Sequence, residues 1–398
     1  MRVPDGWNIL PISEILERVS DPVFPELEKN YYQIGIRSHG KGLFYKEAVT
    51  GEALGNKRVF RIHPDCFIVN IVFAWEQAVA KTSANEIGMI ASHRFPMFRP
   101  RNHQCDIDYL TYFFKTPKGK YLLELASPGG AGRNKTLGQN EFSLLKLTLP
   151  PINEQQKIAQ ILSTWDKAID KLEALIAAKQ KRKKALMQQL LTGNVRVLGF
   201  NAKWSSCHLG DICTLKGGTT FNESFQGEIE GEIPFIKVSD MNLPNNSIFI
   251  NDANNWISIQ VAKKLKAKLF PKGAIVFAKV GAALLLNRRR ILVRETIIDN
   301  NMMAAIPNQL SYTSFLYQLM LMIDFAKIVQ EGAVPSINQS DLARLKVNLP
   351  DINEQQKISA ILSTADNEII VHQKQLAALK QQKKALMQQL LTGNKRVV

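Results

Sequence analysis

Cysteine is scarce, with only Cys66, Cys105, Cys207 and Cys213 in 398 residues. That number and spacing exclude a disulfide framework. Cys207 and Cys213 have only His208 nearby, so no metal-ligand pattern forms either. The opening MRVPDGWNIL lacks the long apolar core of a secretory signal, and a cytoplasmic protein with reduced thiols is the expectation. No apolar run approaches the roughly 18 residues of a membrane span, which argues against a membrane partner. A Walker A loop, an Asn-Pro-Pro-Tyr-type methyltransferase motif and a glycine-rich cofactor loop after a strand are all missing. No catalytic residue, metal or cofactor is therefore assigned to this chain.

Positive charge is what the sequence has in excess. Fifty-one Lys and Arg face 35 Asp and Glu, for a net +16 and a pI near 9.6. The excess is spread along the chain: 19 basic against 15 acidic residues in 1–149, 9 against 4 in 150–197, 16 against 12 in 198–349, and 7 against 4 in 350–398. Ordinary solubility charge gives the same total, but this distribution suits an extended surface that tracks a polyanion such as duplex DNA. The length is too great for one core and suits two domains.

An internal repeat organises the chain. LPPINEQQKIAQILSTWDKAID at 149–170 returns as LPDINEQQKISAILSTADNEII at 349–370, and KKALMQQLLTGN at 183–194 returns unchanged at 383–394. Across 150–197 and 350–397, 30 of 48 positions are identical. The repeat extends weakly upstream, and Trp7 and Trp204 open similar stretches near the start of each half. Between these flanks the halves differ almost completely. The organisation read from this is a first recognition insert (1–149), a first helix segment (150–197), a second insert (198–349) and a second helix segment (350–398).

Each repeated segment reads as one long helix. Asn153 and Asn353 are expected N-caps with Gln156 and Gln356 three residues on, and Gly193 and Gly393 are expected terminators. Positions spaced alternately by four and three carry the apolar residues Ile158, Leu162, Trp165, Ile169, Leu172 and Ile176, and the same frame 200 residues on carries Ile358, Leu362, Ile369, Leu376, Leu379 and Leu386. This is a heptad seam. A helix over 154–191 would be roughly 57 Å long at ~1.5 Å per residue. Lys179, Lys183, His372 and Lys383 interrupt the seam. Antiparallel pairing of the two helices within the chain, with paired numbers summing to 548, sets Trp165 opposite Lys383, Lys183 opposite Ala365, Lys179 opposite Ile369 and Leu172 opposite Leu376. Each lysine stem then runs past an apolar or small partner toward water. Parallel pairing would make the second insert, roughly 40 Å across, bridge the full helix length. The expected architecture is two α/β (α+β) recognition domains in tandem, separated by an intramolecular antiparallel coiled coil, in a pseudo-twofold arrangement.

Strand-like runs at 59–63, 66–76 and 87–92 and a helix at 107–115 mark the first insert. Runs at 233–239, 274–280, 290–298 and 302–307 and a helix at 312–330 mark the second. Basic and polar loops supply the candidate DNA contacts. In the first insert these are Arg37, His39, Lys41, Arg94, Arg99, Arg101, Arg133 and Lys135. In the second they are Lys216, Thr219, Lys237, Asp240, Lys279, Arg288, Arg289, Arg290, Ser336 and Asn338. These residue types hold phosphates and read base edges. The Arg288–Arg290 run suits phosphates better than bases.

The order of insert, long helix, insert and near-identical long helix resembles the specificity subunit of type I restriction-modification systems. The words carrying it are LPxINEQQKIxxILSTxD and KKALMQQLLTGN in both copies, with IPFIKVSDMN, GAALLLNRRR, IIDNNMM and AVPSINQSDL in the second insert. In the first insert it rests on GIRSHGKGLF and on position. The resemblance implies that each insert reads one half of a bipartite, asymmetric site on double-stranded DNA. It implies that the helical pair sets the unread gap and docks two modification subunits, which carry S-adenosylmethionine and methylate adenine. ATP-dependent restriction subunits join some such complexes, and the specificity subunit itself is not an enzyme. Two other readings remain open at this point: a nuclease or methyltransferase with an unrecognised site, and a coiled-coil scaffold that never touches DNA.

Overall fold

A computed structural model describes residues 3–130, 135–329 and 334–397. The chain divides into two compact units, 1–173 with 374–398, and 174–373. Each unit therefore combines one insert, the first half of the helix that follows it, and the second half of the helix that follows the other insert.

In the first unit, Asn8–Pro11 pairs antiparallel with Lys146–Leu149, closing both ends of the insert into a two-stranded base. Above it lie a four-stranded antiparallel sheet (Val79–Lys81, Phe67–Val69, Met97–Pro100, Leu16–Val19) and a three-stranded one (Ile90–Ser92, Val59–Arg61, Pro22–Val23). Helix Ile107–Phe114 packs Tyr109, Leu110, Phe113 and Phe114 into the main core. The expected strand over 66–76 is shorter than its apolar run. It ends at Val69, and the chain turns into a single 3-10 turn at Ala74–Glu76. The Val79–Lys81 strand then pairs back on Phe67–Val69.

In the second unit the base is Ser205–His208 against Lys346–Leu349. A five-stranded sheet has the order Cys213–Gly217, Met302–Pro307, Ile275–Ala278, Arg289–Leu292, Phe249–Ile250. A four-stranded sheet has the order Trp256–Ile257, Ile233–Ile236, Thr296–Ile298, Leu269–Phe270. The run expected at 290–298 is two strands that belong to different sheets. The helix expected over 312–330 stops at Met322 and is followed by a 3-10 turn at Phe325–Lys327.

The long helices run Ile152–Leu190 and Ile352–Leu390, 39 residues each. Their ends are core residues of the inserts. Ile158 and Leu162 pack with Leu390 and Leu391 in the first unit's core, and Ile358 and Leu362 pack with Leu190 and Leu191 in the second's. Trp165, Ile169, Leu172, Ile176, Ile369, Leu376, Leu379 and Leu386 are all buried or half-buried, as the heptad spacing requires.

Within each unit the helix halves run antiparallel. In the first, Glu154 pairs with Arg396, Asp166 with Lys383 and Glu173 with Lys380. In the second, Glu354 pairs with Arg196, Asp366 with Lys183 and Glu368 with Lys179. The register agrees with the expected one, and Lys183 and Ala365 line the same recess. The stems of the interrupting lysines run past the seam as expected and end on carboxylates that flank it, the Lys179–Glu368 pair lying exposed to water. Lys183 lies 2.6 Å from Asp366, Lys179 lies 2.7 Å from Glu368, and Lys383 pairs with Asp166 while sitting 5.2 Å over the Tyr112 ring.

The expected caps are also displaced. Both helices begin before Asn153 and Asn353, and Asp351 caps the second by accepting from the Asn353 and Glu354 amides. The INEQQ words serve the inserts instead. Gln155 accepts from the Asp106 amide and donates to the Gln104 and Pro150 carbonyls, while Gln355 accepts from Tyr312 and donates to Leu310 and Pro350. Gly193 and Gly393 do end the helices in the left-handed region, at φ 76° and 74°.

Glu154 and Glu354 are held by bidentate arginines from the opposite repeat. Arg396 meets Glu154 at 2.8 and 2.8 Å, and Arg196 meets Glu354 at 2.8 and 2.7 Å. The Trp204 indole donates to Glu354 at 3.0 Å. The glutamate side chains are only 7% and 1% exposed, so removing either arginine strands a buried carboxylate. Arg196→Ala, which leaves the Glu354 carboxylate buried without its ion pair, is expected to cost about 3–5 kcal/mol in urea unfolding. Burial alone would raise the Glu154 carboxyl, but hydrogen bonds from Arg396 and the Val397 amide outweigh it and hold the group below its ordinary value. A carboxyl lowered on folding stabilises the fold above about pH 4.5 and loses that contribution as pH falls through its lowered value. Unfolding midpoints across pH 7 to 3 should therefore converge between wild type and Glu154→Gln at the acid end.

Candidate nucleic-acid interface

The first unit gathers several candidates around one turn. The hairpin Ile34–Ile36/Leu43–Tyr45 carries an exposed tip with Arg37, His39 and Lys41. His39, Gly40 and Gly42 have φ of 61°, 64° and 77°, so the tip turns tightly. The His39 and Gly40 amides donate to the Glu76 and Gln77 carbonyls at 2.6 and 2.9 Å, and Ser38 Oγ donates to the Glu76 carboxylate at 2.8 Å. Arg37 donates to its own hairpin at Leu43 and stacks 5.3 Å from the Phe44 ring. At the start of the same 71–77 turn the Ile71 amide donates to the Arg94 carbonyl and the Ile71 carbonyl accepts from the Leu137 amide. Lys135 lies 5.8 Å over the half-buried Trp75. The tip, Arg94 and Lys135 thus converge, with Trp75 among them as an aromatic that sequence reading passed over.

Other first-unit candidates stand apart. Arg99 is exposed but pairs with Glu17, and Arg101 is exposed beside the left-handed Asn102 and His103. Arg133 lies outside the described residues.

In the second unit, backbone hydrogen bonds join loops far apart in sequence. Gly218 donates to Met302, Thr219 to Ile298, Asp299 to Ile236, Lys279 to Asn301, Ile337 to Lys279 and Gly281 to Pro335. Thr219, Lys237, Lys279 and Ser336 therefore sit on one connected set of loops, with Lys216 near the end of the strand that leads into it. Lys216 is exposed, Lys237 Nζ donates to Gln226, and Asn338 caps the helix Gln339–Ala343 through the Ser340 amide.

Three expectations fail here for a common reason, which is burial. Asp240 is fully buried and accepts from the Lys237 and Asn254 amides, so it holds its loop together and cannot reach a base. Arg289 is fully buried, 3.6 Å over the Phe325 ring, and donates to the Asn287 and Ile323 carbonyls. Burial lowers its pKa to about 10. Arg290 is half-buried and spends its guanidinium on the Asn246, Arg289 and Met241 carbonyls. Only Arg288 of the run is exposed, beside Asn242. Arg289 and Arg290 lie in the strand Arg289–Leu292, where alternate side chains face opposite sides, and sequence alone could not show that both faces are covered.

Among the described residues no group of three His, Cys, Asp or Glu is placed to hold a metal, and no helix is long and apolar enough to cross a membrane. Burial pushes the Cys66 thiol up to about 11 and the Cys105 and Cys213 thiols to about 12, far from nucleophilic thiolates. Arg289→Ala should lower the melting temperature by several degrees, equivalent to about 2–5 kcal/mol. Arg288→Ala should leave it unchanged within about 0.5 kcal/mol, both read by thermal unfolding.

Comparison with known proteins agrees with this construction. The family model described as the type I restriction modification DNA specificity domain matches residues 4–179 and again 201–381. The MjaVIII specificity subunit of Methanocaldococcus jannaschii is 22% identical over 100% of this chain and 95% of its own length. The EcoR124I/EcoR124II specificity subunit of Escherichia coli is 24% identical over 91% and 88%. In fold, the S subunit of a type I restriction-modification system from M. genitalium matches with a TM-score of 0.62 at 15% identity over 98% of both chains. The HsdS subunit from Thermoanaerobacter tengcongensis matches with 0.51 at 18% over 99% of both. With the family model matched twice and most of the chain covered, this chain belongs to the type I restriction-modification DNA specificity family.

Proposed function

We propose that each unit reads one short half of a bipartite, asymmetric site on double-stranded DNA. The paired long helices set the unread gap and dock two modification subunits that bring S-adenosylmethionine and methylate adenine. In this reading the chain supplies recognition and no chemistry, and ATP-dependent restriction subunits are optional additions to the assembly.

One observation carries the reading. The two units share a frame: the Glu–Arg clasp, the Gln155/Gln355 brace and the lysine–aspartate pairs recur residue for residue, and each unit stands on a two-stranded base of the same pairing. Onto that frame are set inserts whose sheets differ in strand number and order. A shared support with unlike surfaces is what reading two unlike half-sites requires. A scaffold with no DNA partner has no reason to diversify both inserts.

Replacing residues 1–149 with the corresponding insert of a relative is expected to change one half of the methylated motif and leave the other half and the gap as they were. Sequencing of methylated adenines in cells carrying the chimera reads this directly. A change in both halves contradicts the assignment of one unit to one half-site.

A further inference from the structure

The glycine pair in LKGGTTF, at the end of the strand Cys213–Gly217, collects two lysines from distant parts of the second unit. Lys268 Nζ donates to the Gly217 carbonyl at 3.4 Å. Lys279 Nζ lies 3.2 Å from where a Cβ on Gly217 would stand, so the missing side chain is what admits it. Gly218 has no room for a side chain either, since its Cβ would fall 2.2 Å from the Asp299 carbonyl. Thr219 closes the turn, its hydroxyl accepting from the Lys268 amide at 3.0 Å while its own hydrogen remains to be donated.

Two ammonium groups at one peptide repel each other. Neither has an acidic partner among the described residues. Asp299, the residue opposite Thr219 in a parallel backbone bridge, is buried and accepts from the Asn301 amide with one carboxylate oxygen. Lys268 is exposed and Lys279 half-buried, so the pair opens to solvent. A geometry that gathers like charge around a bare backbone and supplies no counter-charge fits a tetrahedral anion with several acceptor oxygens.

We infer that the Gly217–Thr219 turn, with Lys268 and Lys279, seats one backbone phosphate of the DNA that the second unit reads. The inference rests on the DNA-reading function proposed above and goes further, separating a positioning site from the sequence-reading surface. The seat fixes register and carries no sequence preference. Lys268, absent from the contacts expected from sequence, is one of its two cationic groups.

The test is equilibrium binding of the full chain, in its assembly with modification subunits, to target and unrelated duplexes over a range of salt. Lys268→Gln with Lys279→Gln is expected to weaken binding to both duplexes by a similar factor, roughly three- to tenfold, and to reduce the slope of log K against log salt by about 1. The methylated motif should stay the same. Lys268→Arg with Lys279→Arg, which keeps both positions substituted but returns the charge, should keep most of the wild-type slope, so loss of slope in the double Gln variant is traced to charge and not to disturbed folding. A single methylphosphonate walked along the duplex should weaken wild-type binding at one position within one half-site, and that position should be silent for the double variant. An unchanged slope, a changed motif, or no position at which the two effects merge would overturn the phosphate seat. Failure of the wild-type assembly to prefer its target would overturn the function beneath it, a result visible before any variant is made.

Discussion

Glu154 and Glu354 sit in the first turn of each long helix, almost wholly out of water. A carboxylate placed there must be paired, or its burial costs several kcal/mol. Each finds a bidentate arginine just beyond the end of the other long helix: Arg396 for Glu154, Arg196 for Glu354. The start of one helix is thus tied to the tail of the other, and the halves they join must run antiparallel. Much else follows from this constraint. Leu390 and Leu391 are carried into the first insert's core, and Leu190 and Leu191 into the second's. The seam falls into a register that lets Lys383 and Lys183 meet Asp166 and Asp366.

The aspartates at those positions couple the helices to the inserts. Asp166 accepts from Lys383 and from the Tyr112 hydroxyl, and Asp366 accepts from Lys183 and from the Gln318 amide. Tyr112 and Gln318 belong to insert helices of unrelated sequence, Ile107–Phe114 and Thr313–Met322. The repeat thus offers the same acceptor twice, and each insert answers with a different donor. A frame of this kind tolerates exchange of its inserts while asking little of them: one polar group at the right place, a pair of backbone groups for Gln155 or Gln355, and a few apolar side chains for the helix ends.

The architecture was legible because its strongest signals are local and repeated. A seam of alternating four and three spacing defines a helix and its buried stripe without tertiary information, and an identical second copy doubles the signal. Even the antiparallel register could be read, since only that arrangement gives Lys179, Lys183 and Lys383 tolerable neighbours. The clasp was visible in principle, as Glu154, Gln155 and Arg196 recur as Glu354, Gln355 and Arg396. A capping pattern offered a nearer explanation for the same letters, and it misled. The candidate site was less legible because exposure is a tertiary property. Arg288, Arg289 and Arg290 are alike in sequence, yet Phe325 and three backbone carbonyls claim the last two. Lys268 went unnoticed because its neighbour Gly217 lies 51 residues away. Trp75 read as the end of a strand until the chain turned at Asn70.

If the paired helices set the unread gap, their length should be readable in the DNA. Adding four residues to each helix at matching levels of the seam, an insertion a heptad repeat accommodates as a stutter, lengthens the pair by about 6 Å. The methylated motif of cells expressing that protein is the most direct measurement. Both half-sites should be unchanged and the gap between them longer by one or two base pairs. An active protein that keeps the original gap would contradict the account.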